Sequence, residues 1–291
     1  MYGMNKEKVA IVTDSTACIP GDIAEKFGIE IVPVVFIFGR ETFRDGIDMT
    51  TSEFYTRLRK AKKLPTTSGS LTMPYLEAYR KASQRTNSIL CITISSKLSG
   101  MLNSARVARE MAQSSLQGVT IEIIDSGTAA GAQGLVVTAA ARATAAGKSL
   151  LEVIETTKMV TERVRLFAML DTLNYLVKGG RAPRVAAIAT SLLKIKPIIT
   201  INSGVVHPVA NVITAQHALQ YLVKIIEEKT IRNLPLHLAV MHADARANAK
   251  IVADEIKKRF QPEEILLCEF TPVMGVHTGP GLVGVAFYNG E

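Results

Sequence analysis

The feature that most limits what this chain can fold into is a repeated transition. An apolar run gives way at once to a short cluster of hydroxyls, glycines or both. Val9-Ala10-Ile11-Val12 runs into Thr13-Asp14-Ser15-Thr16, residues 88–94 into Ser95-Ser96-Lys97-Leu98-Ser99-Gly100, and residues 119–124 into Asp125-Ser126. Short continuous apolar runs read as strands buried on both faces. Between them lie segments of helical spacing at residues 19–27, 51–62, 74–84, 103–112, 129–146 and 150–163. Residues 29–38 read as a second strand. Strands alternating with helices predict an α/β fold with a mainly parallel sheet. In such a sheet the loops at the carboxyl ends of strands converge on one crevice, where ligands bind.

The second half carries a different pattern. Residues 166–170 read as a strand, 173–177 as a helical turn stopped by Gly179-Gly180, and 185–193 as a helix. Residues 196–202 and 205–212 read as a β-hairpin turning at Ser203-Gly204, with Pro197 and Pro208 confined to strand ends or edges. A helix at 214–229, a strand at 236–241, a helix at 247–260 and strands at 264–270 and 282–288 complete a mixed sheet. This change of pattern predicts two domains, 1–165 and 166–291.

Composition narrows the function classes. With 47% hydrophobic residues the chain has ample material for a core, but only 5% are aromatic and Trp is absent, so packing must be aliphatic. The formal charge of +8 permits acidic partners. The Lys and Arg residues are dispersed, without the aromatic-interleaved basic motif of single-strand binders, so nucleic acid is not expected. Three widely spaced cysteines, Cys18, Cys91 and Cys268, form no CxxC pair and no disulfide framework. The first residues pass directly into a strand, so no leader is expected. The apolar run at 31–38 is too short to span a bilayer. A cytoplasmic protein without an integral membrane segment is the expectation.

The polar clusters pose the chemical question. Asp14, just after a buried strand, suits a metal or phosphoryl group, or equally a turn carboxylate that fixes its loop. Asp45 and Asp48 around Gly46 read the same two ways. Ser95, Ser96 and Ser99 precede a helix, whose N-terminal N–H groups favour anions; they serve either an anion or the helix cap. Thr66-Thr67-Ser68 behind Pro65 is a further hydroxyl cluster. His277, before Thr278-Gly279-Pro280-Gly281, has close backbone approach beside it. Arg181 follows Gly179-Gly180 and either clamps a phosphate or lies on the surface. The histidines show no metal-ligand spacing, and no Walker A loop, GxGxxG, GxSxG or HExxH occurs. No metal, cofactor or catalytic set is expected from these residues.

Taken in order, the clusters resemble the DegV family of bacterial fatty-acid-binding proteins. The resemblance runs through Ile11-Val12-Thr13-Asp14-Ser15-Thr16, Pro65-Thr66-Thr67-Ser68, Ser95-Ser96-Lys97-Leu98-Ser99-Gly100 and Ile124-Asp125-Ser126. It continues in Leu176-Val177-Lys178-Gly179-Gly180-Arg181, Lys196-Pro197-Ile198 and His277-Thr278-Gly279-Pro280-Gly281. It implies a two-domain DegV-like fold with one long-chain fatty acid in an apolar tunnel between the domains. It implies carboxylate contacts from Thr67 and Ser99, with His277 and Ser96 in the polar network. It also implies a non-enzymatic role, with the acid presented to a separate fatty-acid kinase that makes an acyl phosphate, and Arg181 placed for partner or phosphate contact. The chain departs from the family pattern at Gly69, where Gln is common, and at Met101, where Thr is common. A rival reading is a phosphoryl-transfer enzyme related to dihydroxyacetone kinase subunits, using Asp14 and His277.

Overall fold

The computed structural model describes residues 8–68, 72–184 and 195–290. The strands of the first half are β1 (Val9–Asp14), β2 (Glu30–Val32), β3 (Val35–Phe38), β4 (Glu41–Arg44), β5 (Thr66–Ser68), β6 (Ser88–Thr93) and β7 (Thr120–Asp125). The helices between them are α1 (Gly21–Phe27), α2 (Thr51–Lys60), α3 (Thr72–Ser83) and α4 (Met101–Gln113), followed by α5 (Ala130–Ala145) and α6 (Leu150–Arg163). As predicted, the first sheet is parallel throughout, in the order β2-β1-β6-β7. All six residues of β1 and of β6 are buried, which is why Val9–Val12 and Ile89–Ile92 are continuously apolar rather than apolar at every second position. Thr50 and Glu53 close a capping box at the start of α2, and Ser149 and Glu152 do the same for α6.

One strand expectation is corrected. Residues 29–38 are not one strand but two, in different sheets. Pro33 has no N–H to give a ladder, and the N–H of Val34 donates to Ser15 Oγ at 3.1 Å. The chain therefore leaves the parallel sheet after Val32. It then forms a separate antiparallel sheet, β4-β3-β5, that was not foreseen.

The second half is a mixed six-stranded sheet. Its strands are β8 (Arg165–Met169), β9 (Lys196–Asn202), β10 (Val205–Val212), β11 (Leu236–His242), β12 (Glu264–Glu269) and β13 (Val283–Asn289). They stand in the order β10-β9-β8-β13-β11-β12, with β11 and β12 parallel and the other pairs antiparallel. The predicted hairpin is β9–β10, and its ladder shifts between Pro208 and Ala210. The helices are α7 (Asn174–Lys178), α8 (Ala215–Lys229), α9 (Arg246–Phe260) and α10 (Pro272–Thr278). The helix expected at 185–193 and the departure at Gly69 lie outside the described residues.

Period-two alternation gives this sheet two apolar faces. Phe167, Met169, Leu238, Val240, Val285 and Phe287 form an outer core with Leu222 and Ile226 of α8 and Val252 and Ile256 of α9. Leu166, Ala168, Ala239, Met241 and Ala286 face inward, into a core continuous with that of the first half. Between the two sheets lies α5, with thirteen of its sixteen residues buried. A helix enclosed on all sides must be apolar on all sides, and small residues let both sheets close on it. A Cβ on Gly131 would sit 2.8 Å from Met241 Cγ, and one on Gly134 would sit 2.8 Å from the Ala17 carbonyl.

Candidate ligand cavity

A cavity of about 120 Å³ opens where the carboxyl ends of β1 and β6 meet β5, α10, β8 and the β9–β10 hairpin. Most of its wall is aliphatic, including Val34, Ile94, Leu98, Leu166, Ile199, Ile201 and Val206. Its polar lining is Thr16, Thr67, Ser68, Ser99, Arg181, His277 and Thr278, with no carboxylate among the described residues. Arg181 is thus the one formal charge on that lining among the described residues.

Thr67 enters from β5, whose ladder pairs it with the buried Phe36. His277 enters from the last turn of α10. This short helix was not foreseen, although Thr271-Pro272 at its start and Gly279 just past its end are ordinary helix boundary signals. Asp45 anchors it from a distance, its Oδ1 accepting the Val273 N–H at 3.1 Å. His277 Nε2 and Thr67 Oγ1 are 3.0 Å apart, so residues 210 positions apart in sequence form one polar pair. Burial, aided by the nearby Arg181 charge, pushes the His277 imidazole down to about 4, so it is neutral at pH 7. With hydrogen on Nε2, the ring donates to Thr67 and leaves the threonine O–H to donate into the cavity.

Two glycines make this placement possible. A Cβ on Gly179 would lie 2.6 Å from His277 Nδ1. Gly279, at φ +69°, packs against the ring of Tyr175 so closely that any Cβ would overlap it. Each glycine thus admits a side chain of the other segment, and α7 and α10 interlock.

Ser99 and Gly100 line the cavity immediately before α4, whose N-cap Gly100 supplies no side-chain cap. The Ser99 hydroxyl bonds to none of the described side chains or carbonyls; only its N–H is engaged, with the Ser95 carbonyl at 3.1 Å. The departure at Met101 is a buried core residue at the first position of α4. Ser96 is exposed and outside the lining, its N–H donating to Asp125 at 3.1 Å. Ser95 is the buried member of that pair. Arg181 is exposed at the rim, donating to the Gly179 carbonyl at 2.6 Å. Thr16 and Ser68 line the cavity without having been singled out for it; only their neighbours in the same clusters were.

Asp14 does not line the cavity. It is fully buried, and its oxygens accept from the N–H groups of Ile94 (3.0 Å) and Thr16 (3.2 Å), from Tyr75 (3.2 Å) and Gln133 (3.3 Å), and from the Thr16 hydroxyl. Burial raises its pKa against the pull of those donors. Asp45 accepts from Ser15 at 2.6 Å as well as from Val273, and burial pushes it up to about 6. Both carboxylates hold loops together. Asp48 instead pairs with Arg44 on the surface, which lowers it to about 2. The three cysteines are free and buried. Among the described residues no group of three or more His, Cys, Asp or Glu is placed to hold a metal ion, and no helix is long and apolar enough to cross a membrane.

The sequence profile of the DegV family matches residues 8–290. The chain belongs to the DegV family. A DegV domain-containing protein of Clostridium perfringens is 33% identical over 279 residues, covering 96% of this chain and 98% of the relative. Protein DegV of Bacillus subtilis is 30% identical over 280 residues, covering 96% and 98%. The fold superimposes with a TM-score of 0.89 on a DegV family protein from Thermus thermophilus described for its fatty acid binding, at 25% identity and coverage of 97% and 99%. The solved DegV of Bacillus subtilis, described as a fatty acid binding protein, gives 0.86 at 30% identity and coverage of 97% and 99%. A stearic acid-binding protein from Eubacterium ventriosum gives 0.87 at 26% identity, covering 97% and 98%. The DegV expectation and its combination of parallel and mixed sheets therefore hold.

Proposed function

We propose that this DegV protein holds one long-chain fatty acid, its carboxylate at Thr67 and Ser99 and its tail along the aliphatic wall. The observation that carries this reading is the balance of the lining among the described residues: the Thr67 and Ser99 hydroxyls, one cation, no carboxylate, and a wall that is otherwise mostly hydrocarbon. A carboxylate taken out of water must be hydrogen-bonded, and the Thr67–His277 pair supplies a donor without a buried ion pair. Each methylene transferred to the wall contributes about 0.8 kcal/mol, so a 16-carbon tail gains on the order of 10 kcal/mol before binding costs. The tail sets affinity and the hydroxyls set orientation. Solved relatives described as fatty-acid binders support the ligand class.

The reading extends to a cytoplasmic carrier rather than a catalyst, one that presents the acid to a separate fatty-acid kinase for acyl-phosphate formation. Arg181 at the exposed rim is the residue we assign to contact with the partner or its phosphate. We place the domain boundary near residue 165, between α6 and β8, with the acyl cavity between residues 1–165 and 166–291. Ser96 would take part only by contact from the exposed side of its loop.

Native mass spectrometry of the purified protein, followed by release and identification of the bound molecule, tests the ligand. A single fatty acid per chain is expected. Thr67→Ala with Ser99→Ala should lower affinity at least 100-fold, since each hydrogen bond to a charged group is worth about 1.5–3 kcal/mol. Undiminished binding by the folded double variant would remove the site assignment.

A further inference from the structure

One wall of the cavity is held differently from the rest. β9 is paired with β8 only through residues 198–200, ending at Thr200 opposite Phe167. Beyond Thr200 the hairpin pairs with itself alone, Ile201 with Val206 and Asn202 with Val205. Ile201 and Val206 are cavity-lining residues. β10 is the edge strand of its sheet, and its ladder is broken at Pro208–Ala210.

The tip of this hairpin reaches across to the first half of the chain. Ser95 Oγ donates to the Gly204 carbonyl at 3.2 Å, and Lys97 Nζ donates to the Ser203 carbonyl at 2.9 Å. Gly204, at φ +78°, rests on Ser95, and a Cβ there would press on the Ser95 hydroxyl. The receiving loop is firmly held: the Ser95 N–H donates to the Thr128 carbonyl at 2.9 Å, and Ser95 Oγ also accepts the Lys97 N–H at 3.2 Å. Two of the other described walls are fixed in place. α10 is packed with Gly275 against Phe54 and Tyr55, and α5 is enclosed by both sheets.

We propose that the outer part of the β9–β10 hairpin is a strap over the cavity. It pivots at Thr200 and at the Pro208–Ala210 irregularity, lifts its tip from Ser95 and Lys97, and so admits and releases the acyl chain. Among the described residues, lifting it breaks the two bonds at the tip, one of them to an exposed lysine, and the exposed contact between Arg184 and His207 at 3.3 Å, and it withdraws Ile201 and Val206 from the cavity while leaving Thr67, Ser99 and His277 in place. The strap rests on the fatty-acid reading above and adds the route of exchange.

A disulfide tests it. A Cβ on Gly204 would lie 3.5 Å from Ser95 Cβ, within the roughly 3.5–4.5 Å that a disulfide spans. The variant Ser95→Cys/Gly204→Cys is loaded with palmitate or oleate, and exchange with isotope-labelled acid is followed by native mass spectrometry in oxidised and reduced samples. Uptake and release should both be at least tenfold slower when oxidised, with affinity within threefold, because the lock changes the route and not the bound state. Equal exchange rates in the two samples would overturn the strap. Lys97→Ala, which leaves the lining untouched, should exchange three- to tenfold faster than wild type even if the double variant fails to fold, and an unchanged rate there counts against the strap. Failure of the wild-type protein to bind either acid would overturn the fatty-acid reading and the strap with it. Normal binding with lock-independent exchange would overturn the strap alone.

Discussion

Asp14 and Asp45 lie just behind the cavity wall, and Thr67, Ser99 and His277 lie on it. By residue type the first group has the stronger claim to chemistry, since buried carboxylates with raised pKa values mark many active sites. The structure separates the groups by what remains unused. Asp14 is surrounded by donors from its own loop and from three other segments of the chain, and Asp45 ties Ser15 to the first turn of α10. Among the described residues the Ser99 hydroxyl has no partner and the Thr67 hydroxyl has one. A polar group whose hydrogen bonds are all made inside the protein stabilises the fold. One with a hydrogen left over, facing a cavity, is available to a ligand.

The comparison breaks most readily at Asp14. Asp14→Ala strands the Ile94 and Thr16 N–H groups, Tyr75 and Gln133, and should cost about 4 kcal/mol of stability, each stranded donor contributing roughly 1–3 kcal/mol before repacking. Chemical denaturation measures it. Loss of binding with full stability would instead put Asp14 in the site.

The pH dependence of stability separates the groups next. Asp45 has its pKa raised from 3.8 to about 6, so its stabilising contribution is complete below 3.8 and is lost as pH rises through about 6. His277 is lowered from 6.5 to about 4, so its contribution is complete above 6.5 and is lost as pH falls through about 4. The two oppose each other across the same window. Asp45→Asn should therefore gain on the wild type as pH rises from 4 to 6, and His277→Asn should gain as pH falls from 6.5 to 4. Each difference should reach about 3 kcal/mol. Urea midpoints at half-unit pH intervals would show parallel curves if the burial argument is wrong.

Gly179→Ala is a finer probe. Its φ of −72° suits alanine, but the new methyl would press on His277 Nδ1 and turn the ring away from Thr67. Affinity for a fatty acid should fall about tenfold, roughly 1.4 kcal/mol, with little change in melting temperature. The smallest effect belongs to Ser96→Ala. Its side chain is exposed and its one hydrogen bond is from the backbone, so titration with the same acid should give less than a twofold change.

Much of the fold was legible because it depends on local signals. Apolar runs marked β1 and β6, and Ser203-Gly204 marked the hairpin turn. What was not legible depends on distant partners. That Asp14 is saturated requires Tyr75, Ile94 and Gln133, which lie 61, 80 and 119 residues away. The split at Pro33 was visible as a proline, but the antiparallel sheet that receives β3 was not, because β4 and β5 are short and polar. Ser95 and Ser96 could not be told apart by type. Only the docked hairpin tip makes one buried and leaves the other exposed.

The enclosed helix α5 has a consequence for dissecting the protein. A cut between α6 and β8 would leave one fragment with α5 bare on the side that Met241 and Ala239 cover, and the other with the inward face of its sheet bare. Neither piece would keep to itself. Expressed separately in one cell, the fragments would reassemble along a helix whose small residues fit that sheet, and the cavity would exist only in the reassembled pair. The chain is in this sense built as a split protein, in which the joining of two polypeptides assembles the cavity.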